Sequence, residues 1–354
     1  LARKLFLHVG TAKTGTTSIQ NWLDDNRDAL QARGLLYPKI SHASDQSPAF
    51  NKAQHILAFH WGVGWLKPEP AVTQAAWDDL AAQAKAHADD IVISSETFAL
   101  ALQQQPQALF EMVARAVPDA EITCVMYLRG HAELIKSDGF EAMRNGQGAR
   151  SIYRHAMDPP WYLRDILNYR GLVTKAQASP HVARVVARPF ERGQMPGGDL
   201  LEDFLAIVGL PPLAETGLPP AANANQFNDT NAIYLVLSQV VNLKFSKPRQ
   251  IKRLCYDIAE QIEDNSGRFD WSPAFRDHLT AQHQGDRDFL DALVGGRFFQ
   301  EERKPAGHVS TGVEDDIARE LWKRLTGRPA DRRQSHAALL NNLSEMDCAG
   351  LLEY

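Results

Sequence analysis

Residues Gly10-Thr-Ala-Lys13-Thr-Gly15-Thr16-Thr17 bring two glycines, one lysine and a cluster of hydroxyls into a single turn. An apolar run, Leu5 to Val9, precedes the turn and a helical stretch, Ser18-Ile-Gln-Asn-Trp22-Leu, follows it. Strand, glycine-bounded loop and helix make a phosphate cradle. Backbone N–H groups and the positive end of the helix dipole face the anion. Laid on G-x-x-x-x-G-K-[ST], Gly10, Gly15 and Thr17 fit, but Thr16 stands where the lysine belongs. Lys13, inside the loop, is its only lysine. The charge sits early in the turn, which argues against Mg²⁺-dependent nucleotide hydrolysis. A second constellation lies downstream. Ile122 to Leu128 reads as a strand, Arg129 ends it, and Ser137 follows eight residues on in a helical stretch. The planar donor fork of Arg and a short, adjustable Ser hydroxyl are groups that can donate to phosphate oxygens. Proton transfer would call on His or Glu, and His55, Glu96 and His60 are the candidates, in that order. His8 and Cys124 read as buried structure.

These groups need a frame. Strand-like runs at 4–9, 91–95, 122–128 and 182–187 alternate with helix candidates at 15–33, 73–88, 106–116 and 131–145. The alternation predicts an α/β fold: a mostly parallel sheet with helices on both faces. Ligands bind such sheets beyond the carboxyl ends of the strands. Gly10, Glu96 and Arg129 all fall at such ends, so one crevice is expected to collect them.

The loop Ala12-Lys13-Thr14-Gly15-Thr16-Thr17 resembles the 5′-phosphosulfate loop of sulfotransferases that use 3′-phosphoadenosine 5′-phosphosulfate (PAPS), typically P-K-[ST]-G-[ST]-[ST]. Ala12 replaces the usual Pro. Arg129 and Ser137 resemble that family's 3′-phosphate clasp. The strand 182–187, Arg188-Pro189-Phe190-Glu191 and the helix Leu200 to Leu210 are also similar to the family pattern, so the resemblance covers about residues 4–210. It implies a P-loop-like fold and a PAPS donor without a metal. It also implies in-line transfer of a sulfuryl group to an acceptor hydroxyl, with a bacterial carbohydrate-type member the nearest in kind. Lys13 would stabilise the leaving phosphate, and Ala12 to Thr17, Arg129 and Ser137 would hold the donor. The family uses either His or Glu as base, so His55, Glu96 and His60 stay open. Many carbohydrate sulfotransferases carry Glu-Lys-[Ser/Thr]-Pro at the relevant strand end. Here it is Glu96-Thr97-Phe98-Ala99, and the second lysine is missing. The rival readings are a P-loop kinase or other nucleotide phosphotransferase, and a catalytically silent nucleotide-binding protein.

The 354 residues suffice for a full core. Residues 1–220 are expected to form the PAPS-binding core, with 34–70 inserted as an acceptor-site wall. Residues 221–354 are expected to form a helical subdomain, with helices at 230–245, 248–264, 273–293 and 313–326 and a tail helix near 335–352. The insertion holds His55, His60, Trp61 and Trp65; with Trp161 and Tyr162 these could stack on sugar faces. A formal net charge of −5 argues against a nucleic-acid partner. Cys124, Cys255 and Cys348 are widely spaced, so neither a disulfide framework nor a zinc knot is expected. No His/Cys/Asp cluster shows metal-ligand spacing along the chain, and no metal is expected. No apolar run approaches a membrane span, and a cytoplasmic location is expected. Arg249, Lys252 and Arg253 form a basic cluster at helical spacing, and Arg303-Lys304 faintly resembles a family segment that folds over the cofactor.

Overall fold

Five runs rich in β-branched and apolar residues form the strands β1 (Arg3–Val9), β2 (Leu35–Leu36), β3 (Asp90–Ser95), β4 (Ala120–Leu128) and β5 (Val182–Pro189). They pair in the order β2-β3-β1-β4-β5, and every pairing is parallel. The computed structural model describes residues 2–40, 52–63, 67–144, 152–220, 271–300 and 311–331, with 338, 339 and 342. Among these, the helices before β4 are α1 (Thr16–Asp25), α2 (Arg27–Gln31), α3 (His55–Ala58), α4 (Pro70–Ala86), α5 (Phe98–Gln104) and α6 (Pro106–Ala116). Next come α7 (His131–Arg144), α8 (Ile152–Met157), α9 (Trp161–Leu167), α10 (Tyr169–Gln177), α11 (Leu200–Val208) and α12 (Leu213–Thr216). Beyond residue 220 the described elements are all helical: α13 (Pro273–Gln282), α14 (Gln284–Val294) and α15 (Thr311–Thr326).

The chain divides into two compact units. The first comprises Leu1–His131, Trp161–Ala224 and His283–Glu301, and it contains the whole sheet. Period-two alternation sends Phe6, Val92, Val125 and Tyr127 to one face, where they pack with Ile19, Trp22, Phe204 and Leu205 of α1 and α11. Leu5, Leu7, Ile91, Ile93, Cys124 and Met126 point to the opposite face and are equally buried. Helices therefore cover both faces, the usual condition of an all-parallel sheet. A polar knot on the buried Asp203 carboxylate supports α11. Asp203 accepts from Tyr127 Oη at 2.8 Å and pairs with Arg188. The second unit comprises Ala132–Pro160, Asn225–Gln282 and Glu302–Tyr354. Within it the Trp271 indole donates to the carbonyl of Ala132 at 2.9 Å, and Asp138 meets His155 at 2.9 Å.

The expected strands and the helices 73–88, 106–116 and 131–145 correspond to β1, β3, β4, β5, α4, α6 and α7. The expected helix 15–33 is two helices, broken at Asn26, whose side-chain amide caps back to the Trp22 carbonyl at 2.8 Å. Likewise 273–293 is two helices that meet at His283. The sequence reading missed α5: Phe98 to Gln103 are all buried, so no amphipathic stripe marks the helix. The helices expected at 230–245 and 248–264, Trp65, the Arg249 cluster and Arg303-Lys304 lie outside the described residues. Among the described residues no helix is long and apolar enough to cross a membrane.

Candidate functional site

The connection from β1 leads towards β2, on one side, and that from β4 leads towards β5, on the other. The crevice between the carboxyl ends of β1 and β4 is therefore the topological switch point, where parallel sheets take ligands. The loop after β1 lies there, and its shape has clear local causes. Thr11 Oγ1 donates to the Tyr127 carbonyl at 2.6 Å, and Thr14 Oγ1 donates to the Thr11 carbonyl at 2.6 Å. Lys13 is the one described non-glycine residue with positive φ, at 65°. Gly15 follows at φ 75° and opens α1 without a side-chain cap. A Cβ at Gly15 would come within 2.3 Å of Leu200 Cδ2 and 3.2 Å of Phe190 Cε2, and one at Gly10 would reach Thr16 Cγ2 at 2.2 Å. Gly15 is thus required chiefly by its left-handed backbone, and Gly10 by close packing against Thr16 and the Glu96 backbone. The first turn of α1 carries no acidic residue of its own, which suits the helix start to an anion.

Arg129 joins the loop directly. Its Nη1 donates to the Lys13 carbonyl at 3.1 Å, and its guanidinium lies 5.8 Å from the centre of the Phe190 ring. The Arg129 carbonyl accepts from Tyr169 Oη at 2.6 Å. On the β3 side, Glu96 Oε2 accepts from Thr16 Oγ1 at 3.1 Å. The backbone of Glu96 lies against Gly10, its Cα 3.3 Å from where a Gly10 Cβ would stand. His55 is buried with Nδ1 2.8 Å from Ser95 Oγ. Burial lowers its pKa, and the Glu96 carboxylate pulls it part of the way back. The imidazole is thus held neutral, the form that can accept a proton.

The fold therefore brings together Lys13, Gly15, Thr16, Glu96, His55 and Arg129. Thr14 and Thr16 spend their hydroxyl protons inside the protein, on Thr11 and Glu96. Thr17 is exposed, and Ala12 is half-buried. His60 has Nδ1 3.0 Å from Thr73 Oγ1. That hydroxyl donates to the Pro70 carbonyl, so His60 must give its Nδ1 proton to Thr73. Ser137 lies half-buried on α7 within the second unit. His8 is fully buried at 2.8 Å from Ser94 Oγ, and burial holds its pKa at about 4. Burial also pushes the Cys124 thiol upward.

The structure adds residues that the motifs do not reveal. Phe190 and Leu200 wall the loop, yet nothing in their local sequence marks them for that role. His131, His283 and Asp286 come together with ligand atoms mutually within 4.8 Å. The expectation of no metal-ligand cluster was drawn from spacing along the chain; this group is assembled by the fold. The short spacing of His283 and Asp286 was its only sequence signal.

No family model matches the chain, and no curated protein matches it. Among solved structures, a sulfotransferase from Alicyclobacillus acidocaldarius is similar over 84% of this chain and 97% of its own, at 17% identity and a TM-score of 0.45. At that level the likeness carries no inference about activity, and the case for a function rests on the residues of the site.

Proposed function

We propose that the protein is a sulfotransferase that moves a sulfuryl group from PAPS to an acceptor hydroxyl, with a carbohydrate favoured as acceptor. One observation carries the reading. The Arg129 guanidinium, 116 residues from Lys13, is docked on the Lys13 carbonyl, which joins the two anion motifs at neighbouring strand ends. A donor with phosphate groups on both the 3′ and the 5′ oxygens of its ribose needs two such anchors. The cradle fits a phosphosulfate: a left-handed Lys13, a glycine that must be glycine, and an uncapped α1.

In-line transfer leaves charge growing on the 5′-phosphate as the bridging bond to sulfur breaks. Lys13 and the N–H groups at the start of α1 are placed in this reading to stabilise that charge without reorganisation. Arg129 holds the 3′-phosphate, and the sequence spacing alone adds Ser137 as its companion. His55 is the proposed base. Its Nδ1 lies 2.8 Å from Ser95 Oγ, a contact that orients the ring at the strand end. Glu96 is the proposed positioning residue, since one of its oxygens already holds Thr16. The stretch 34–70 is the proposed acceptor wall, with Trp61 half-buried within it.

The test is calorimetry with adenosine 3′,5′-bisphosphate beside ATP–Mg²⁺, for wild type and Arg129→Ala. The bisphosphate is expected to bind preferentially. The variant should lose about 1.5 kcal/mol or more, a charge-assisted contact, which is roughly a tenfold weakening. Preference for ATP–Mg²⁺, or equal affinity in the variant, refutes the reading. Bisphosphate binding without sulfuryl transfer to any member of a broad acceptor panel favours a silent nucleotide-binding protein.

A further inference from the structure

His131, the first residue of α7, and His283 and Asp286, at the start of α14, all belong to the first unit and converge although far apart in sequence. Two imidazoles and one carboxylate are a donor set for a borderline divalent transition metal such as Zn²⁺ or Co²⁺. The supporting shell is already built. His131 is 1% exposed, with Nε2 3.2 Å from the Leu167 carbonyl and 3.7 Å from Asp286 Oδ2. A carbonyl acceptor for one ring nitrogen is the usual way a ligating histidine is oriented. Asp286 Oδ1 accepts from the Arg170 backbone N–H at 2.8 Å, which fixes the carboxylate with Oδ2 turned towards His131. An independent observation points to something missing. Nδ1 of His131 is buried and has no hydrogen-bond partner among the described residues. Such an orphaned ring nitrogen costs free energy until a donor or a metal ion meets it.

We propose that His131, His283 and Asp286 bind one divalent transition-metal ion, which clips α14 to the segment that follows β4. A tetrahedral site with bonds of about 2.0–2.1 Å sets its ligand atoms roughly 3.4 Å apart, against a present spread of up to 4.8 Å. The His131 and His283 rings are stacked at 4.2 Å and 11°, so closure requires one ring to rotate out of the stack. His283, half-buried, has the room. The positive end of the α14 dipole opposes a cation here, but the full Asp286 charge at bonding distance outweighs it. His283 and Asp286 are both partly exposed, which supplies the entry path. The site would brace the donor crevice. Tyr169 lies against the His131 ring, with centroids 4.4 Å apart, and donates to the Arg129 carbonyl.

The experiment is titration of tag-free, chelator-treated protein with Co²⁺, read by visible absorption, and with Zn²⁺ in competition with a chromophoric chelator. One ion per chain is expected, with tetrahedral-type cobalt bands. His283→Asn and Asp286→Asn, both at partly exposed positions, should weaken affinity at least tenfold. His181→Gln, at an exposed histidine elsewhere, should leave it unchanged. No binding at micromolar metal, or binding that the His283 and Asp286 variants do not alter, overturns the proposal. Neither readout uses sulfuryl transfer, so the metal site stands or falls apart from the proposed activity.

Discussion

Replacing Lys13 with glycine should make the protein more stable than replacing it with alanine, although both variants lose the same charge. Lys13 is held at φ 65°, a left-handed conformation that costs an L-residue about 1–2 kcal/mol. Glycine avoids that cost but loses roughly 0.5–1 kcal/mol more chain entropy than alanine on folding. The balance favours Lys13→Gly over Lys13→Ala by about 0.5–1 kcal/mol. Both variants should bind adenosine 3′,5′-bisphosphate about 10–100-fold more weakly than wild type, because a contact to a charged group of about 1.5–3 kcal/mol is gone. Urea denaturation of the two variants reads the first quantity and calorimetry the second. An alanine variant as stable as the glycine variant would refute the left-handed backbone at residue 13. Wild-type affinity in either variant would refute the role of the charge. The paired outcome, a backbone relaxed and a function lost, is what strain held at a functional loop predicts.

Gly15→Ala should destabilise by about 2 kcal/mol, combining the left-handed penalty with the 2.3 Å approach to Leu200 Cδ2; adding Leu200→Ala should relieve the clash but not the backbone term, and an unaltered urea midpoint in the single variant would disprove the packing. His8, whose folded pKa is lowered to about 4 by burial, contributes stability that is complete above its unfolded value near 6.5 and is lost as the pH falls below it. Between about pH 7.5 and about pH 5 the loss should be about 2 kcal/mol; His8→Asn should remove that part of the pH dependence, and parallel wild-type and variant curves would contradict it. Glu96→Gln keeps an acceptor for Thr16 but removes the charge that raises the His55 pKa. The acid limb of kcat/KM should move to lower pH with turnover retained, whereas loss of turnover at every pH would make Glu96 the base.

Much of the frame was written locally. Apolar runs such as Leu5–Val9 and Ile122–Leu128 favour burial, and Gly10 and Gly15 favour a tight turn before a helix, so the sequence by itself determined the alternating, parallel α/β frame, the glycine-bounded turn after β1 and the strand-end arginine. Where burial is complete, as along Phe98–Gln103, the periodic signal vanishes and the helix could not be read. Tertiary structure alone decided which side chains meet. Arg129 reaches the Lys13 carbonyl, Thr16 turns its hydroxyl to Glu96, and His55 sits on Ser95 because the β1, β3 and β4 ends are neighbours in the sheet. The left-handed Lys13 and the meeting of His131 with His283 and Asp286 belong to the same class. Residue type and spacing encode a conformation through near neighbours in the chain, but a contact between distant segments exists only once the packed sheet has fixed the distance between them.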